Sequence, residues 1–181
     1  MVTENSLSHA LAEHGLSLER GATKKLMQAY DRLSTFPDVP VALEKVASNP
    51  NFTAVVFSNG TNEMVSNSIY RSDDFAPHAG VFKDIISVDP IKKFKPAPEV
   101  YWDLADRFGK DKNNSDEMAS MWLVTGNPFD VVGARTVGMN AGWVDRAGTG
   151  WIDALDPEKR PSLIARDLNG VIEVIQKAVG H

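Results

Sequence analysis

The chain has 181 residues, a formal net charge of −5, 43% hydrophobic residues and no cysteine. This composition is typical of a globular protein whose core is large enough to fold without disulfides. The lack of cysteine excludes disulfides, zinc–thiolate sites and cysteine nucleophiles. The acidic balance argues against nucleic acid or an anionic membrane as the main partner.

The first residues and the hydropathy of the chain indicate a cytoplasmic protein. The stretch MVTENSLSHALAEHG is acidic and lacks the continuous apolar segment of an export signal. No apolar run approaches the roughly 20 residues that cross a bilayer. We therefore expect a cytoplasmic location and no membrane partner.

Two helices are predicted at the start of the chain. The first has Thr3 as its N-cap and stops at Gly15. The second runs from about Ser17 to Leu33, and its apolar positions recur at three-to-four spacing. These positions are Leu26, Ala29, Tyr30 and Leu33. Residues 35–40, Thr-Phe-Pro-Asp-Val-Pro, then interrupt the pattern.

Short apolar strands and helices alternate through the rest of the chain. The predicted strands are Thr53–Phe57, Asp84–Val88, Met121–Val124, Ala141–Val144 and Leu163–Ala165. The predicted helices are Val41–Ala47, Asn62–Tyr70, Glu99–Phe108, Phe129–Val137 and Asn169–Val179. This alternation predicts a doubly wound α/β fold, with a parallel sheet covered by helices on both faces.

Small polar residues follow two of the predicted strands, at the end of the sheet where α/β proteins bind ligands. Residues 58–61 are Ser-Asn-Gly-Thr, and residues 125–130 are Thr-Gly-Asn-Pro-Phe-Asp. Each motif opens a helix whose free N–H groups favour an anion. Lys95 lies between them in residues 94–98, Phe-Lys-Pro-Ala-Pro. A hydroxyl, a cation and a carboxylate at neighbouring strand ends suit a small anionic substrate.

Each motif also has a structural explanation when it is taken alone. Residues 58–61 form a common turn with a helix N-cap. Lys95 could be a solvated surface lysine, and Asp130 could simply complement a helix dipole. The four histidines lack the spacing of metal ligands, and we expect no metal. The ordered combination of the three motifs favours a functional site.

Together these motifs resemble those of the haloacid dehalogenase (HAD) superfamily, and within it the type II 2-haloacid dehalogenases. The resemblance implies a HAD-like, Rossmann-like parallel sheet, with a partial helical cap at residues 1–36 and an α/β core at residues 37–181. The implied activity is metal-independent and cofactor-independent hydrolysis of the carbon–halogen bond in a small 2-haloacid. In that reaction an aspartate displaces halide from C2, and water hydrolyses the ester. A homodimer is a further implication.

The resemblance assigns catalytic positions to four residues. Lys95 matches the residue that holds the substrate carboxylate and the nucleophile. Thr125 matches a supporting position. Asn127 and Asp130 match the residues that order the nucleophile, the lysine and the water.

Four further residues match substrate-binding or supporting positions of the family. Ser58 matches a residue that holds the substrate carboxylate, and Tyr101 matches a supporting position. Asn59 and Phe129 match part of the halide cradle. Magnesium-dependent phosphatases of the superfamily have an aspartate where this chain has Gly126. A phosphatase is therefore the weaker enzyme hypothesis, because Mg²⁺ needs oxygen ligands.

The nucleophile of the family has no counterpart in this sequence. It ends a first strand that lies between the equivalents of residues 53–57 and 121–124, and the halide-receiving arginine of the cap is missing too. We therefore expect an N-terminally shortened HAD-like chain. Either the two flanking strands close up directly, or something else fills the gap between them. A catalytically inactive anion-binding module is the alternative to a hydrolase.

Overall fold

The structure, a computed structural model, describes residues 2–29 and 34–179. The strands are β1 (Ala54–Ser58), β2 (Phe82–Ser87), β3 (Trp122–Thr125), β4 (Asn140–Val144) and β5 (Leu163–Ala165). The helices are α1 (Val2–Glu13), α2 (Arg20–Ala29), α3 (Val39–Ser48), α4 (Asn62–Tyr70), α5 (Pro98–Arg107), α6 (Ser115–Ala119), α7 (Pro128–Thr136) and α8 (Leu168–Val179). Two 3₁₀ helices, Ala76–Val81 and Asp89–Ile91, flank β2.

From α3 onwards, the predicted elements are confirmed with boundaries that differ by at most two residues. Helix α6 and the 3₁₀ helices were not predicted, because segments this short carry no clear periodicity. The N-cap prediction for Thr3 is wrong, since α1 already begins at Val2. Gly15 does end the first helix, with a φ of 66° that favours glycine. Helix α2 begins at Arg20 rather than Ser17, and Tyr30 and Leu33 lie outside the described residues.

One apolar core joins the sheet to helices α5 and α7. Its fully buried members include Val100 and Tyr101 of α5, Val131 and Ala134 of α7, and Ala141 of β4. None of the buried core residues comes from α1 or α2, whose described side chains are mostly exposed. This distribution agrees with a cap–core division near residue 36, which stays a prediction. None of the helices described has the length and apolarity that a membrane crossing requires.

The strands are all parallel, which confirms the predicted α/β class, but in the described residues they form two separate sheets. Strand β1 pairs with β2, and the order in the second sheet is β3-β4-β5. The two flanking strands of the expected gap, β1 and β3, are therefore not hydrogen-bonded to each other. Of the two alternatives, direct closure is wrong for the described part of the chain.

Asp38 anchors the segment before α3 to Arg146, in the loop after β4, and to Leu168, the first residue of α8. Its carboxylate accepts hydrogen bonds from both terminal guanidinium nitrogens of Arg146, one of them at 3.0 Å, and from the backbone N–H of Leu168 at 2.7 Å. The guanidinium of Arg146 also stacks 3.9 Å from the ring centroid of Phe36. The hydrogen bonds from Arg146 lower the pKa of the Asp38 carboxyl. These contacts fix the segment at residues 36–38 against α8 and the loop after β4.

Candidate functional site

The turn after β1 is built by its own small side chains. The Ser58 hydroxyl accepts a hydrogen bond from the Gly60 N–H at 3.0 Å. A Cβ atom on Gly60 would lie 3.1 Å from a Val65 methyl group, so the turn leaves little room for a larger residue. Thr61 caps α4 by accepting a hydrogen bond from the Met64 N–H. The structural explanation therefore holds for Thr61 and also for Ser58 as a hydrogen-bond acceptor within the turn.

The Lys95 side chain is buried, which excludes the alternative explanation that it is a solvated surface lysine. The side chain is 8% exposed. The ammonium donates a hydrogen bond to the backbone carbonyl of Phe57 at 3.1 Å and lies 5.0 Å from the centroid of the Phe57 ring. A buried ammonium needs compensating acceptors, because the charged form is costly to remove from water.

Asp130 supplies that compensation from the first turn of α7. Its carboxylate lies 3.2 Å from the Lys95 ammonium, is itself only 4% exposed, and accepts a hydrogen bond from the Thr125 hydroxyl at 3.0 Å. Thr125 in turn accepts a hydrogen bond from the Asn127 N–H at 3.0 Å. Asp130 therefore does more than complement a helix dipole. Lys95, Thr125 and Asp130, three of the predicted catalytic residues, form one connected cluster.

Tyr101 lies fully buried on α5 beside this cluster. Its ring packs edge-to-face on Phe57 at 5.6 Å, and its hydroxyl has no hydrogen-bond partner among the described residues. Burial raises the pKa of the Tyr101 hydroxyl, and the charge of Asp130 adds to the effect. Gly133 makes room for this side chain, since a Cβ there would lie 2.3 Å from the hydroxyl oxygen.

The remaining predicted residues surround the cluster without joining its ion pair. Asn59 binds the backbone of Lys95: its Oδ1 accepts the Lys95 N–H at 2.8 Å, and its Nδ2 donates to the Lys95 carbonyl at 3.4 Å. Asn127 is the N-cap residue of α7, but its exposed side chain does not cap the helix. Phe129 is half-buried in the first turn of α7.

Lys95 lies at the unpaired edge of β1. Backbone carbonyls point alternately to the two sides of a strand. The Ser58 carbonyl accepts the Val88 N–H and so points towards β2, and the Phe57 carbonyl therefore points away from β2. The Lys95 ammonium connects this free carbonyl to Asp130, and through it to Thr125 at the end of β3.

Two residues of the site escaped the sequence analysis. Ser87 ends β2 opposite Ser58, and its buried hydroxyl donates to the Gly60 carbonyl at 2.6 Å. The predicted strand Asp84–Val88 includes Ser87, so a search of the residues that follow each strand does not reach it. Phe57 contributes its backbone carbonyl, which accepts a hydrogen bond from Lys95. Every residue has such a carbonyl, so the sequence does not indicate this role. No three potential metal ligands converge within the described parts of the chain.

Comparison with known proteins identifies relatives for most of the chain. No protein-family model matches it. It is 31% identical over 147 residues to (S)-2-haloacid dehalogenase 4A of Burkholderia cepacia, which covers 81% of this chain and 59% of that protein. It is 30% identical over 146 residues to haloacetate dehalogenase H-2 of Moraxella sp. strain B, covering 81% and 60%. The chain thus spans about 60% of the length of these curated relatives.

The fold has the same relatives. The crystal structure of the L-2-haloacid dehalogenase RSc1362 superposes with a TM-score of 0.83 and 27% sequence identity. The match covers 97% of this chain and 71% of that one. The predicted resemblance is therefore confirmed both in sequence and in fold.

Proposed function

We propose that this chain, a homologue of the L-2-haloacid dehalogenases that shares their fold, provides most of the active site of a hydrolase for small 2-haloacids. The buried ion pair of Lys95 and Asp130 at the unpaired edge of β1 is the observation that carries the proposal. An ammonium held in this way attracts carboxylates. The relatives are dehalogenases of 2-haloacids or of haloacetate, which suggests the substrate class.

The Tyr101 hydroxyl is a buried donor without an acceptor among the described residues. An unmet buried donor is costly. The Lys95 ammonium contacts the Phe57 carbonyl and the Asp130 carboxylate, whose Oδ1 atom has no hydrogen-bond partner of its own in the described part of the chain. We propose that the reacting groups bind beside this pair, where a bound carboxylate would accept hydrogen bonds from the Lys95 ammonium and the Tyr101 hydroxyl.

The proposed reaction proceeds in two balanced steps. First, a carboxylate oxygen forms a bond to C2 of the haloacid, while the carbon–halogen bond breaks and its electron pair leaves with halide. Water then attacks the carbonyl carbon of the resulting ester. The 2-hydroxy acid leaves, the carboxylate is restored, and one proton is released. Lys95 holds the reacting carboxylates, Asp130 holds Lys95, and Ser58 binds the carboxylate of the substrate.

Asp130, the carboxylate paired with Lys95, is not suited to attack the substrate. Asp130 is buried, and it already contacts Lys95 and Thr125. Covalent catalysis needs a nucleophile that can reach the substrate. We therefore propose that the nucleophile belongs to a segment outside these 181 residues, located between β1 and β3. The relatives extend well beyond the matched region.

Binding of L-2-chloropropionate to the 181-residue chain, measured by titration calorimetry, tests the substrate half of the proposal. We expect saturable binding that is weakened in Ser58→Ala and Lys95→Met. Lys177→Met, which removes an exposed lysine of α8, is the matched control and should bind normally. Absence of binding by the folded chain would contradict the proposal. Binding without halide release, even from a longer chain, would favour the anion-binding module.

A further inference from the structure

We propose that Ser87 and Asn59 are positioning residues that hold Lys95 at the unpaired edge of β1. The contacts that hold Lys95 do not depend on the proposed function. Only their relevance to catalysis rests on that function. Ser87 is assigned no role by the family resemblance. Asn59 was expected in a halide cradle, whereas its amide binds the backbone of Lys95.

The first link of this connection runs from β2 to the turn after β1. The Ser87 side chain is buried, with the residue 6% exposed, and stands in register with Ser58. Its hydroxyl donates to the Gly60 carbonyl at 2.6 Å and accepts the Asp89 N–H at 3.1 Å. One hydroxyl therefore fixes both the turn that carries Asn59 and the start of the segment that leads to Lys95.

The second link runs from Asn59 to Lys95. The Asn59 amide faces the backbone of Lys95 with one acceptor and one donor, so that it binds both the N–H and the carbonyl. The neighbouring Phe94 is 68% exposed, so its ring adds little packing to this anchorage. Fixing the backbone at Lys95 determines where its side chain enters the core. The ammonium then reaches the Phe57 carbonyl, two residues before Asn59.

The connection has a direct chemical readout, because a buried lysine reacts slowly with acylating reagents. Competitive labelling of the 181-residue chain with acetic anhydride, read by mass spectrometry, gives the relative reactivity of each lysine. We expect Ser87→Ala and Asn59→Ala to raise the labelling rate of Lys95 by about fivefold, the effect of losing one net hydrogen bond. Ser87→Thr, which keeps the hydroxyl, should restore the slow rate.

A matched control separates positioning from general loosening. Ser162 also bridges two groups with one hydroxyl, donating to Asn140 and accepting from the Ala141 N–H, but in the other sheet, where β4 and β5 begin. Ser162→Ala should leave Lys95 labelling unchanged. In the double variant Ser87→Ala/Asn59→Ala the two effects should be less than additive, as expected for residues acting through one connection.

Three results would overturn the proposal. One is slow labelling of Lys95 in folded Asn59→Ala and Ser87→Ala. Another is equal acceleration at Lys95 and at Lys45, which pairs with Glu173 elsewhere. The third is equal acceleration by Ser162→Ala. If Ser87→Ala does not fold, Asn59→Ala and Asn59→Asp decide the matter. The labelling depends on no substrate, so failure of this proposal is distinguishable from failure of the proposed function.

Discussion

The Nζ atom of Lys95 lies 3.2 Å from a carboxylate oxygen of Asp130, and both side chains are more than nine-tenths buried. The two residues come from different segments, 35 positions apart. A buried pair of this kind contributes little net stability but is costly to break, because one charge is then left unpaired. Replacing one of the two residues should therefore affect both the stability of the fold and the proposed site.

Replacing one member of the pair should destabilise the chain far more than replacing both. We expect Lys95→Met to lower the free energy of unfolding by about 3–5 kcal/mol, since it leaves Asp130 buried without its partner. Lys95→Met/Asp130→Asn should recover a large part of that loss. Urea denaturation of the two single variants and the double variant measures the coupling. Additive losses would show that the two charges do not depend on each other.

The ion pair between Asp38 and Arg146 should make stability depend on acidic pH. Hydrogen bonds from Arg146 lower the pKa of Asp38 in the folded chain, so the unfolded chain binds more protons as the pH falls. The contribution is complete above the ordinary aspartate pKa of about 3.9 and is lost as the pH falls through the lower folded value. Asp38→Asn should therefore reduce the difference in Tm between about pH 7 and pH 3. Asp106→Asn, at an exposed position of α5, is the control and should not reduce it.

Gly133 should tolerate no side chain, because its Cβ would lie 2.3 Å from the Tyr101 hydroxyl oxygen. Overpacking of this kind costs about 1–3 kcal/mol, and we expect that loss in Gly133→Ala. Gly21→Ala provides the contrast, since nothing lies within 4 Å of a Cβ at that position of α2. It should be neutral or stabilising by at most about 1 kcal/mol. Thermal unfolding of both variants measures the difference, and equal effects would argue against the contact with Tyr101.

The Tyr101 hydroxyl has no partner among the described residues. Whether Tyr101→Phe raises or lowers the free energy of unfolding therefore depends on whether a further segment fills the gap between β1 and β3. In the chain without that segment, Tyr101→Phe should raise the free energy of unfolding by about 1 kcal/mol, because it removes a buried donor without an acceptor. Tyr70→Phe, at a 60% exposed position, should change nothing. Chemical denaturation supplies both values. A clear destabilisation by Tyr101→Phe would mean that the hydroxyl already has a partner.

The elements from α3 onwards could be predicted from the sequence because strand ends, prolines and glycines mark them locally. Helix α4 was located to the residue, and Ser58, Thr125 and Asp130 were recognised by their position after buried strands. Ser87 was missed because the predicted strand ran to Val88, whereas β2 ends at Ser87. What could not be predicted depends on distant contacts. The burial of Lys95 requires Phe57 and Asp130, and the binding of Arg146 to Asp38 joins residues 108 positions apart.

The separation of β1 from β3 is a second feature that local patterns cannot reveal. Both strands are apolar and regular, and nothing in either states which neighbour it pairs with. Pairing is decided by the whole sheet, so the sequence left direct closure and a gap between β1 and β3 as alternatives, and in the described residues the two strands are not paired. Homodimerisation, the cap–core boundary near residue 36 and the cytoplasmic location stay predictions. Light scattering of the purified chain measures the first of these.

Halide release from L-2-chloropropionate is the decisive measurement for the proposed active site. The 181-residue chain is compared with a version extended upstream to the next in-frame start, and with the extended version carrying Lys95→Met. We predict release by the extended chain alone, with loss of release in the Lys95 variant despite a folded protein. Release by the unextended chain itself, or undiminished release by the extended Lys95→Met variant, would contradict the proposal.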